Sequence, residues 1–139
     1  MQGHVGLLAT ADEKEGGATI HAAVDAGINL IDNGDLYGSG RNELLIREAL
    51  RGHDRSRILL RVKFGALREP QARWNGSNGR PKAVKNLLAY SLKRFGTDYI
   101  DIYRPSGSIR KSQWKRLWTR GRACAGWISA LCRHVGGQK

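Results

Sequence analysis

Over the first 105 positions, apolar residues recur in two rhythms, one suited to helices and one to short buried strands. Thr10-Ala-Asp-Glu13 fits a capping box, in which a hydroxyl and a later carboxylate satisfy the free amides at a helix start. Ile20, Ala23 and Val24 follow at helical spacing, and Gly27 offers a left-handed stop. Ile28 to Ile31 is a short apolar run suited to a buried parallel strand. Glu43 to Leu50 predicts a second helix with Leu44, Leu45, Ala49 and Leu50 turned inward and Gly52 closing it. Ile58 to Val62 predicts the next strand, and the polar stretch from Leu67 to Gly79 predicts a long loop.

Pro81 stands where proline fits best, in the first turn of a helix. Val84, Leu87, Leu88, Leu92 and Phe95 then recur on one face, with Gly96 as the cap, and Tyr99-Ile-Asp-Ile-Tyr103 alternates as a strand. Helix and strand alternate throughout, which implies βα units around a parallel sheet. An open doubly wound sheet and a TIM barrel both fit that order. No glycine-rich dinucleotide fingerprint follows any strand, so the barrel is the better reading.

From Ser106 the rhythm stops, and the charge changes with it. Residues 1–105 carry 16 Lys/Arg against all 12 acids, whereas residues 106–139 carry 8 Lys/Arg and no acid. Most of the formal +12 therefore sits in the last quarter of the chain. Trp114, Trp118 and Trp127 lie there, with both cysteines. A basic, Trp-bearing tail offers one reading, a nucleic-acid-binding module that uses phosphate contacts and stacking. The competing and preferred expectation is a poorly ordered or out-of-frame end. Cys124 and Cys132 match no zinc spacing and make no disulfide framework, so no metal is expected. No apolar run approaches a membrane span and no signal-peptide core opens the chain. A cytoplasmic protein without a membrane partner is expected.

The candidate chemistry lies at the strand ends. Asn29-Leu-Ile-Asp32-Asn-Gly-Asp-Leu-Tyr37-Gly follows one strand with a carboxylate and a phenol, and Lys63 ends the next. Reducing a carbonyl by hydride transfer needs an acid that protonates the oxygen as charge builds on it. A free phenol is a reluctant donor at neutral pH. A nearby ammonium stabilises its anion, and a carboxylate holds that ammonium in place. In a βα barrel the C-terminal strand ends converge on one mouth, so Asp32, Tyr37 and Lys63 are expected to meet.

Asp25-Ala-Gly-Ile-Asn-Leu-Ile-Asp32, then Tyr37-Gly, then Asn42-Glu43-Leu-Leu resembles the signature of the aldo-keto reductase superfamily. Val62-Lys63 and Asp98-Tyr-Ile-Asp-Ile-Tyr103 resemble the same family further along, so the likeness runs over residues 1–105. It implies a TIM barrel, NADP(H) as cofactor, and reduction of a small aldehyde or ketone or the reverse oxidation. Carried over by motif, Tyr37 is the general acid, Lys63 tunes it, and Asp32 orients the lysine and lies at the cofactor.

Two departures follow. The family's histidine lies three residues after the tyrosine that ends the fourth strand, and here that position is Ser106. A full barrel also takes about 250 residues, so residues 1–105 represent roughly the first three to four βα units of a partial (β/α)₈ barrel. The expectation is a truncated, inactive chain, with apolar faces meant for a barrel interior laid bare. Its unpaired strand edges favour self-association. Read one nucleotide later, permitted codons for Gly126 to Gly137 spell Ala-Gly-Tyr-Leu-Arg-Tyr-Val-Gly-Met-Ser-Glu, which resembles the family's fifth-strand segment. A frameshift near codon 105, as in a pseudogene, is therefore expected for the 106–139 tail, and the gene's nucleotide sequence decides it.

Overall fold

The structure, a computed structural model, describes residues 5–6, 13–69 and 74–106. Readings that concern Thr10, the two cysteines and the basic tail from Gly107 onward lie outside the described residues. Four parallel strands form one sheet in the order β1 (Val5–Gly6), β2 (Leu30–Gly34), β3 (Leu59–Phe64) and β6 (Ile102–Pro105). The crossovers carry α1 (Glu13–Asp25), α2 (Arg41–Ala49) and α3 (Pro81–Phe95). This is the partial βα-barrel arrangement that the alternation of elements implies.

Successive residues of a strand point to opposite faces of the sheet. Ile31 of β2 with Leu60 and Val62 of β3 packs on Ile20 of α1, Ile46 and Ala49 of α2, and Leu88 and Phe95 of α3. The helices therefore cover one face with an apolar core. The opposite face, which corresponds to a barrel interior, presents Asp32, Arg61, Lys63 and Arg104. The expected apolar exposure is confined to the foot of that face, where Leu30 pairs with Leu59, itself 40% exposed, and Ile102 neighbours Arg61. Among the described residues β1 and β6 are the two outer strands.

Three local readings also change. The expected loop from Leu67 to Gly79 contains a hairpin of β4 (Ala66–Arg68) and β5 (Trp74–Ser77), tied at its base by Asn78 N donating to Gly65 O. Strands this short carry no readable alternation. The strand expected at Tyr99 begins only at Ile102, because the Asp101 carboxylate takes the Leu60 amide that a ladder carbonyl would otherwise accept. In α2 the buried stripe is Asn42, Glu43, Ile46 and Ala49, while Leu44 is 45% exposed. A buried ion pair of Glu43 turns the helix to that face. Helix α3 matches its expected bounds, with Pro81 in the first turn and Gly96 left-handed at φ +68°.

Candidate active site

Strands β2 and β3 run in register with Asp32 beside Arg61 and Gly34 beside Lys63. The pairing continues one residue past β2, where Asp35 N donates to Lys63 O at 2.9 Å. The Asp35 carboxylate in turn accepts from Gly65 N at 3.1 Å. These two bonds stitch the end of β2 to the end of β3, and the chain then turns into a short 3₁₀ segment, Tyr37–Gly40. The Tyr37 ring folds back over Gly34, where a Cβ would stand 3.4 Å from it.

The consequence is a direct contact: Lys63 Nζ donates to Tyr37 Oη at 2.7 Å. The same ammonium lies 3.5 Å from Asp32 Oδ2, and the Asp32 side chain is only 6% exposed. The three residues named from sequence thus meet at the strand ends, a phenol, an ammonium and a carboxylate in a row. Chemically the row can hold a proton on the phenol oxygen and stabilise the anion left when it departs.

Sequence reasoning missed the company these residues keep. Arg61 Nε lies 3.6 Å from Asp32 Oδ1 and Arg104 Nη2 lies 3.9 Å from Oδ2. The available signal was simple, since Arg61 and Lys63 are two apart on one strand and must share a face. Behind the site, Arg94 of α3 pairs with Glu43 of α2, whose side chain is fully buried. Burial pushes the Glu43 carboxyl above its usual range, and the nearby Ser91 hydroxyl and the hydrogen bond from Arg94 only partly oppose this. Burial likewise raises Asp35, against the pull of the Gly65 amide and of Arg94. Tyr103 faces this layer, its ring stacked on Phe64 at 4.4 Å. Burial first, then the Asp35 and Glu43 carboxylates, hold its phenol far above an ordinary tyrosine. Of these two tyrosines near the strand ends, Tyr37 accepts a hydrogen bond from an ammonium, whereas the Tyr103 hydroxyl has no hydrogen-bond partner.

Ser106 takes a structural position. Its backbone amide and its hydroxyl both donate to Phe64 O, at 2.8 and 2.9 Å. Among the described residues no group of three His, Cys, Asp or Glu is placed to hold a metal, and no helix is long and apolar enough to cross a membrane.

The comparisons with known proteins agree with this architecture. The sequence model of the Aldo/keto reductase family matches residues 4–105. "Probable aldo-keto reductase 1" of Glycine max is 36% identical over 93 residues, which are 66% of this chain and 26% of that protein. "Uncharacterized oxidoreductase YqkF" of Bacillus subtilis is 38% identical over 112 residues, 74% of this chain and 34% of that one. Among solved structures, the holo form of aldo-keto reductase AKR11C1 from Bacillus halodurans superposes with a TM-score of 0.75 at 27% identity. It covers 91% of this chain and 42% of its own. The chain thus spans about a quarter to a third of the length of these two curated relatives. With a family match across most of its length, this chain belongs to the aldo/keto reductase family.

Proposed function

We propose that Tyr37, Lys63 and Asp32 are the proton-delivering part of an NADP(H)-dependent centre that reduces aldehydes or ketones to alcohols. The observation that carries this reading is the 2.7 Å hydrogen bond from Lys63 Nζ to Tyr37 Oη, with Asp32 behind the ammonium. Family membership supplies the reaction class.

A bound reduced nicotinamide would supply the hydride. The acceptor chemistry of Asp32, a carboxylate on the interior face, fits a ribose hydroxyl of such a cofactor, so Asp32 is the residue here that would hold it. Tyr37 gives its proton to the carbonyl oxygen as that oxygen becomes an alkoxide. Lys63 stabilises the phenolate that remains, and Asp32 keeps Lys63 aimed at it. In the oxidative direction the phenolate takes the alcohol proton back.

On this reading the 139-residue chain alone turns over little or no substrate, because the four strands of the described parallel sheet do not enclose a barrel. The test is a chimaera in which residues 4–105 replace the matching segment of an active aldo/keto reductase. Nicotinamide absorbance should report reduction of an aldehyde panel, and Tyr37→Phe should lower kcat by about 10²–10⁴-fold with cofactor binding retained. A folded chimaera whose rate ignores Tyr37→Phe contradicts the proposal, and so does robust turnover by the isolated chain.

A further inference from the structure

On the interior face one carboxylate is shared by three cations. Asp32 lies 3.6 Å from Arg61, 3.5 Å from Lys63 and 3.9 Å from Arg104. Its single negative charge leaves two positive charges over, and among the described residues no second carboxylate pairs with Arg61 or Arg104. The Nε atoms of both arginines are buried without a hydrogen-bond partner. The Arg104 side chain nevertheless remains 39% exposed on that face. The bland alternative is a structural ion cluster around Asp32. Such a cluster balances one of the three positive charges and leaves both arginine Nε atoms without a hydrogen-bond partner. Unspent guanidinium donors are well matched to the paired oxygens of a carboxylate or phosphate.

Register places this surplus beside the reducing centre. Arg61 neighbours Asp32 in the ladder, and Arg104 neighbours Lys63, which holds Tyr37. We propose that Arg61 and Arg104 bind an oxyanion of the substrate, so that the carbonyl compound reduced beside Tyr37 carries a carboxylate or a phosphate. The inference rests on the reading of Tyr37 as proton donor, but the binding site is testable without turnover.

The experiment uses the full 139-residue chain and phenylglyoxal, which modifies exposed arginines, with the modified peptides read by mass spectrometry. Inorganic phosphate, pyruvate and uncharged acetone are titrated at ionic strength fixed with sodium chloride. Saturable protection of Arg61 and Arg104 by at least about tenfold is expected from phosphate, pyruvate or both, and none from acetone. Protection by pyruvate alone assigns a carboxylate-bearing substrate, and tighter protection by phosphate assigns a phosphorylated one. A chain with Arg104→Gln should lose the protection at Arg61, read on the folded fraction. Absence of protection overturns the proposal, as does protection confined to arginines elsewhere in the chain. Protection without Tyr37-dependent reduction in the chimaera would sink the proposed function and leave the anion site standing. Reduction of neutral aldehydes without protection would do the reverse.

Discussion

The Arg94 side chain fills the space above Gly40, so that a Cβ at position 40 would stand 2.8 Å from its Cδ and Nε. Gly40 also has φ +96° and closes the turn that carries Tyr37. A side chain there meets both a strained backbone and an occupied volume. Gly40→Ala is therefore expected to destabilise the chain by about 1–3 kcal/mol. Urea unfolding measures this, and in the chimaera the same change should lower kcat by displacing Tyr37. An unchanged unfolding midpoint would show that Arg94 does not fix the turn.

Arg94 reaches Gly40 because its guanidinium is held by Glu43, a carboxylate with no exposure. Removing one partner of a buried pair leaves the other charge without compensation. Arg94→Met should cost about 3–5 kcal/mol, and the double variant Glu43→Leu/Arg94→Met should recover much of that loss. Equilibrium unfolding of the two variants decides it. A double variant as unstable as the single one would mean that packing of the arginine stem dominates, not the charge.

The raised Asp35 and Glu43 carboxyls set the sign of a pH effect. Burial makes each hold its proton more tightly when folded than at its ordinary value of 3.8 or 4.5. The folded state then binds more protons than the unfolded state across that interval, so these groups favour folding while protonated. Their contribution is lost as pH rises from the ordinary value through the raised one. Asp35→Asn keeps an acceptor for Gly65 N and removes one titration. It should lose less stability than the parent between mildly acidic and neutral pH, measured by urea midpoints. An equal or steeper loss would show that Arg94 and the Gly65 amide outweigh desolvation at Asp35.

The sequence announced the site more clearly than its setting. Asp32, Tyr37 and Lys63 were legible because each sits at a predicted strand end and a parallel sheet must bring such ends together. Pro81 and Gly96 fixed α3 through backbone preferences that neighbours cannot override. Leu44 misled, because its burial depends on Arg94, 50 positions away, pairing with Glu43 and turning α2. Tyr99 to Asp101 alternate like a strand, yet the Asp101 side chain takes over a ladder bond. The hairpin around Gly76 was hidden because strands of three and four residues carry no period. Local rules gave element types, and long-range charge pairs decided which faces turned inward.

The account stands on Tyr37 and Lys63 acting as one unit, and a double-mutant cycle on the kcat of the chimaera tests this most directly. Tyr37→Phe and Lys63→Met are each expected to lower kcat by about 10²-fold or more, and the double variant by no more than the worse single. Losses that multiply in the double variant would mean two independent contributions, and the proposed proton-delivering unit would be wrong.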